Sequence, residues 1–323
     1  SDPRRARVVA LDGLVPVVSR SNLVESLSLS ELAEIYTGHV ENWEAVGGAD
    51  APVAAHLMRD DLEEGSEFRR MILGRGQVDE ERVTLHDRYE ALVAAIEQDP
   101  YAIGLGRMSE GGAVKPVGLS GACGFEARAM GADVKSEDYP LTRPVFLYTP
   151  ARRLPKLARE FLAYAVSPAA QIVVARTDFV DQGVDELSFR DQGRRFANAI
   201  SHAGGEISLE DLQGVTSALQ GAKRLTLGFR FEDGSTKLDA QSRSNVHLLA
   251  ELLEAGVYDG QILTFAGFSD GQGEAAINKT LSKRRAQTVM KAVQQAMGEA
   301  FEADRVSLHA EGFGEAMPLA CDD

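Results

Sequence analysis

Apolar and polar positions along the chain fall into blocks that predict strands and helices by turns. Residues 7–19, RVVALDGLVPVVS, form an apolar, β-rich run broken at Asp12-Gly13. That run reads as one buried strand or as two strands with a kink. SLSELAEIYTGHV follows, with Ser28 as N-cap and Glu31 three residues on. Leu32, Ile35 and Tyr36 then share one helical face, and Gly38 ends the helix. Residues 53–58 predict a strand, GSEFRRMILG the start of a helix, and VTLH a short strand. YEALVAAIEQDP predicts a helix, and YAIGLGRM and VFLYTP predict strands. LAREFLAYAV gives a further helix, and Pro168 opens another from its first turn. This alternation predicts an α/β domain with a largely parallel sheet.

The last hundred residues restart the pattern. LTLGFRF is a strand pattern, and DAQSRSNVHLLAELLEAG a capped helix. QILTFAGFSD, LSKRRAQTVMKAVQQAMG and RVSLHAEGFG then predict strand, helix and strand, so that βαβαβ makes a small α+β domain. Between the two lie residues 183–222, with two helical patterns separated by Gly204-Gly205. The expected organisation is an α/β domain over residues 1–182, a helical linker over 183–222 and an α+β domain over 223–323.

Charge narrows the function. The 323 residues carry a formal charge of −15 and a pI near 4.9. Such a chain repels nucleic acid and anionic lipid surfaces, so neither is expected as a partner. No apolar run is long enough to span a membrane. The opening SDPRRARVVALDG enters a strand almost at once and reads as a mature or trimmed end. The two cysteines, Cys123 and Cys321, either pair or stay free.

The chemistry of an enzyme is missing from the pattern. His39, His56, His86, His202, His247 and His309 are scattered, none at metal-ligand spacing from another His, Cys or carboxylate. GLSGA around Ser120 lacks the second glycine of a nucleophile elbow, and no phosphate-loop or dinucleotide fingerprint appears. No catalytic residues, metal or cofactor are expected. Trp43, the single tryptophan, is expected to anchor its turn onto the core.

One stretch invites a ligand: GFSDGQGEAAINKTLSKRRAQ, residues 267–287. Asp270 stands at a strand end, and Arg285 is placed in the first or second turn of a helix opened by Leu281 and Ser282. The helix dipole disfavours a cation there, so Arg285 calls for an anionic partner. Its planar fork suits a carboxylate, and Asp270 accepts from an ammonium. The pair either clasps a zwitterionic amino-acid head or forms a plain salt bridge across the loop.

This stretch resembles the signature of OmpA-like peptidoglycan-binding domains. Gly267, Asp270, Gly273, Asn278, Leu281, Ser282, Arg285 and Ala286 fall in the family's order and spacing. LGFRFEDGSTKLDAQSRSNVHLLAELL upstream is similar to its first strand and helix. AEGFGEAMP downstream, with Gly312, Gly314, Glu315 and Pro318, is similar to its third strand and following loop. The resemblance covers about residues 225–323. It implies that Asp270 and Arg285 clasp the free end of meso-diaminopimelate in the peptidoglycan stem, with Asn278 shaping the loop.

The first domain resembles the phosphate-binding proteins of ABC transporters, over about residues 7–182. IYTGHVENWEAVGG, VVALDGLVPVVSRSN, EDYPLTRPVFLYTP, REFLAYAVSPAAQIVV and DFVDQ carry the likeness. It implies a periplasmic-binding-protein fold and, in RDDLEEGSEF, a phosphate loop of Arg59, Gly65 and Ser66. Glu63 and Glu64 stand where that loop has small polar donors. Unpaired carboxylates beside a buried phosphate would cost several kcal/mol. Arg59 otherwise makes a surface ion pair with Asp60 or Glu63. Together the two resemblances imply a binding protein of the periplasm, held to the cell wall or outer membrane. Its partners would be peptidoglycan and either phosphate or another small anion.

Overall fold

The computed structural model describes every residue except 1–5, 60–61, 122–123, 204–206, 232–236, 270–272, 299–301, 303 and 318–323. Cys123, Cys321, the Gly204-Gly205 pair and Pro318 therefore lie outside the described residues. The chain divides into two compact units. The first comprises Val9–Val145 and Pro155–Gly183; the second is chiefly Val184–Asp323.

The first unit is built on β1 (Ala6–Val18), buried along almost its whole length. A strand with no solvent face must be apolar on both sides, as RVVALDGLVPVV is. The short β2 (Ser26–Ser28) leads into α1 (Leu29–Tyr36). Ser28 and Glu31 form the expected reciprocal capping box, and Leu32, Ile35 and Tyr36 are its buried face. Trp43 is buried in the following 3₁₀ turn, its indole N–H donating to the Tyr101 carbonyl at 2.8 Å. That bond anchors the turn, as expected.

β3 (Ala54–Met58), α2 (Glu63–Phe68), β4 (Val83–His86), α3 (Tyr89–Gln98) and β5 (Ala102–Arg107) follow. Then come β6 (Lys115–Pro116), β7 (Gly118–Ser120), β8 (Glu126–Ala127), α4 (Gly131–Lys135), β9 (Thr142–Tyr148), α5 (Lys156–Ala165) and α6 (Pro168–Val174). The main sheet runs β4-β3-β5-β1-β6, with β9 also pairing β1, while β2, β7 and β8 form a smaller one. The expected parallel pairing holds for β3 with β4 and β5. The sheet is mixed, however, because β1 is antiparallel to β5 and β6. Periodicity cannot report this, since a strand buried on both faces reads the same in either direction. The helix opened by Pro168 stops at Val174; the residues after it extend to a bridge between Val180 and Leu11.

The second unit starts with β10 (Glu186–Leu187), α7 (Gly193–Ser201), α8 (Leu209–Leu219) and β11 (Arg224–Leu225). It continues with α9 (Ala240–Glu254), β12 (Ile262–Gly267), α10 (Ala275–Ala296) and β13 (Ser307–Gly312). β12 and β13 pair in parallel. Val246, Leu249 and Leu253 of α9 share a core with Phe265 of β12 and Ala286, Val289 and Val293 of α10. Helices α7 and α8 cluster with this unit, where Ala199 and Val215 pack with Ala316 and Met317 beyond β13.

The strand expected over LTLGFRF forms a ladder only at Arg224–Leu225. Its side-chain period of two survives, with Leu225, Leu227, Phe229 and Phe231 all facing the core. Beyond the short ladder with β10, side chains of α9 also hold its backbone. Asn245 Nδ2 donates to the Gly228 carbonyl at 2.8 Å, and the Arg230 amide donates to Ser242 Oγ at 2.6 Å. These bonds explain two buried polar side chains on an otherwise core-facing helix.

Among the described residues no helix is long and apolar enough to cross a membrane.

Candidate functional site

In the second unit the site lies on α10. The helix begins at Ala275, well before the expected start at Leu281, so Arg285 stands about three turns in. The dipole of the helix terminus therefore does not act on Arg285, which corrects the sequence-based expectation; the field falls off within the first turn. Arg285 is half-buried, with its guanidinium 5.5 Å above the Phe231 ring. Its Nε is buried and has no hydrogen-bond partner among the described residues. Asp270 lies outside the described residues. Its neighbour Ser269 is fixed, the amide donating to the Gly314 carbonyl at 2.9 Å.

Asn278 is buried and donates to Glu315 Oε1, tying α10 to the loop after β13. Ser282, fully buried, accepts from the Gly314 amide at 2.9 Å through its Oγ. Two glycines set how close the helix sits. Gly267 of β12 and Gly312 of β13 are register partners. A Cβ on Gly267 would strike the Ser282 carbonyl, and one on Gly312 would strike the Lys283 backbone. The helix backbone thus rests directly on the strand ends, which fixes the direction of the Asn278 and Arg285 side chains. An open cavity of about 170 Å³ beside the helix start is lined by Ile207, Asp211, Lys279, Phe313 and Glu315. Lys279 Nζ pairs with Asp211 Oδ1 of α8 at 3.1 Å.

In the first unit, Arg59 is exposed at the end of β3 and pairs with Asp87 at 3.3 Å. Gly65 is buried in α2, where a Cβ would strike the Met58 and Arg59 carbonyls; Ser66 is exposed on the same helix. The backbone thus brings Gly65 against Arg59, while the Arg59 guanidinium reaches Asp87. Asp60 lies outside the described residues. Two arginines not picked out from the sequence reach α2 instead: Arg107 pairs with Glu64, and Arg143 with Glu67. The available signal was a lone arginine closing the apolar run AIGLGR. Close by, buried Asp12 accepts from the Gly13 amide (2.8 Å) and from the Ser109 amide (3.1 Å) and hydroxyl (2.6 Å). Burial, above all, pushes the Glu110 carboxyl above its usual range; the Arg107 amide and guanidinium oppose this, and the charges of Glu64 and Asp12 add to it.

The fold also joins two histidines that sequence spacing leaves apart. His56 and His86 lie diagonally across β3 and β4, with Nδ1 and Nε2 2.9 Å apart. Burial lowers the pKa of each, the His86 charge further lowers that of His56, and Asp99 and Asp87 partly oppose these shifts. The fold therefore favours the neutral pair. Its stabilising contribution is complete above the ordinary histidine value near 6.5 and is lost as pH falls below it. The melting temperature of this unit is expected to drop between about pH 7 and 5, with part of the drop absent in His86→Gln. Trp43 fluorescence reads this unit alone, since the chain has one tryptophan. An unchanged pH slope in the variant would exclude the pair as its source.

Comparison with known proteins matches two stretches of the chain to two families. The profile of the PBP superfamily domain matches residues 3–169, and that of the OmpA family matches residues 230–323. No curated protein matches the chain. An ABC-type phosphate transport receptor from Vibrio cholerae is 21% identical, with 54% of this chain and 71% of that one covered and a TM-score of 0.48. A putative phosphate ABC transporter substrate-binding protein with bound phosphate, from Clostridium perfringens, is 23% identical, with 55% and 71% covered and a TM-score of 0.47. The OmpA-like domain of FopA1 from Francisella tularensis subsp. tularensis SCHU S4 is 16% identical, with 28% and 62% covered and a TM-score of 0.22. At these levels the family profiles, not the solved structures, carry the assignment.

Proposed function

The chain belongs to the PBP superfamily and carries an OmpA-family domain, and on that basis we propose that it is a cell-envelope binding protein anchored to peptidoglycan. The C-terminal domain would hold the wall without making or breaking a bond. The free end of meso-diaminopimelate in the stem peptide is its ligand in this reading, with carboxylate to Arg285 and ammonium to Asp270. Asn278 holds the adjoining loop through Glu315. The observation that carries the proposal is the Arg285 Nε, buried without a hydrogen-bond partner among the described residues. An unpaired buried donor of this kind is costly, and an incoming carboxylate would satisfy it with a charge-assisted bond. That both families are binding modules typical of the cell envelope supports, within this reading, a periplasmic protein at the wall or outer membrane that recognises its ligand without chemistry on it.

The test is co-sedimentation with purified sacculi. The protein should be retained, released by free meso-diaminopimelate, and unaffected by cadaverine, which keeps two ammonium groups but has no carboxylate for Arg285. Absence of retention, or equal release by cadaverine, would count against the proposal. The alternative is a phosphate receptor tethered to the wall, which requires phosphate binding dependent on Arg59, Gly65 and Ser66. That arginine is already paired with Asp87. Calorimetry with inorganic phosphate on the wild-type chain and Arg59→Ala separates the two readings.

A further inference from the structure

We propose that the first unit contains an anion site occupied by its own carboxylates: Glu64 and Glu67 hold Arg107 and Arg143 in place of a free oxyanion and thereby set the unit against phosphate. Glu64 and Glu67 are three residues apart on α2 and so share a face of the helix. Each meets an arginine from a different strand, Arg107 at the end of β5 and Arg143 near the start of β9. All four side chains are largely buried: 12% and 23% exposed for Glu64 and Arg107, 20% and 12% for Glu67 and Arg143. Water therefore screens these pairs far less than a surface pair.

The location is one where an open α/β sheet takes ligands, outside the carboxyl end of a strand. The neutral donors there are engaged too, because the Gly13 amide and the amide and hydroxyl of Ser109 all donate to Asp12. A carboxylate offers a guanidinium fork the same pair of oxygens that a phosphate does. Held on a helix, it also acts at an effective concentration of about millimolar or more, which a free anion must exceed to displace it. Micromolar phosphate does not meet that condition. Glu64 and Glu67 are thus specificity-determining residues, and the arginines behind them form a latent oxyanion site.

The experiment titrates inorganic phosphate into the full chain by calorimetry, for the wild type and for Glu64→Gln/Glu67→Gln. Glutamine keeps the size of the side chain and removes its charge. The wild type is expected to show no saturable binding up to about 10 mM. The double variant should saturate at least about 100-fold lower, and adding Arg107→Ala should remove the gain. Should the double variant not fold, Glu64→Gln alone must show a gain in the same direction. Saturation of the wild type at micromolar phosphate would overturn the inference. So would folded variants binding no better than wild type, or a gain that survives Arg107→Ala. Retention on sacculi involves the other unit and is expected to be unchanged in these variants, so failure of wall anchoring is read separately.

Discussion

Arg285→Ala is expected to release the protein from purified sacculi, weakening retention by about 100-fold, while the chain stays folded. The size follows from removing charge-assisted hydrogen bonds to a carboxylate, each worth about 1.5–3 kcal/mol, where 1.4 kcal/mol is a factor of ten in affinity. The fold should tolerate the change. The Arg285 Nε has no hydrogen bond to lose among the described residues, and its stacking on Phe231 contributes about 1 kcal/mol or less. Arg285→Lys is a sharper control: it keeps the charge but not the planar fork, and should recover only part of the affinity. Asp270→Ala should cause a comparable loss by removing the acceptor for the ammonium. Pull-down from a concentration series, with circular dichroism on each variant, reads both quantities. Full retention of Arg285→Ala on sacculi would leave this residue a packing element only.

Gly267→Ala is expected to destabilise the second unit by about 3 kcal/mol or more, the upper range for overpacking, because the added methyl meets backbone and not a movable side chain. Its Cβ would strike the Ser282 carbonyl, inside a helix that cannot shift one residue without shifting its neighbours. Gly312→Ala should act alike through the Lys283 backbone. A loss of this size lowers the melting temperature by about 6 °C or more. Wall binding should fall as well, since α10 carries Asn278 and Arg285. Calorimetric scans should show the change while the Trp43 transition of the first unit stays put, provided the units melt separately. As a control, Gly273→Ala meets nothing within 4 Å, so its cost should be limited to the strain of a positive φ of 98°. If Gly267→Ala melted like the wild type, the close seating of the helix would not be what fixes the site.

Several elements were legible because their signals are local. Ser28 and Glu31 spell a capping box within one turn, and the structure forms it. The apolar face of Leu32, Ile35 and Tyr36 is set by a period of 3.6 and is buried. The alternation Leu225, Leu227, Phe229 and Phe231 marked an extended segment, and those side chains do face the core. What the alternation did not show is that the strand ladder would be confined to Arg224–Leu225 and that Ser242 and Asn245 of a helix would supply further backbone partners. The start of α10 was missed because residues 275–280 lack an apolar stripe of their own; Asn278 is buried there by its bond to Glu315.

The sequence by itself determined the mixed α/β character of the chain, the faces that become core, and the spacing of Asp270, Asn278 and Arg285. These depend on periodicity and on short-range turn and cap chemistry, which act between residues a few positions apart. Only the tertiary structure decided the antiparallel course of β1, the meeting of His56 with His86, and the pairing of Arg107 and Arg143 with Glu64 and Glu67. Each of these joins residues from separate elements. Charge and hydrogen bonding act across space with no periodic trace along the chain, so those partners become visible only once the strands and helices are in place.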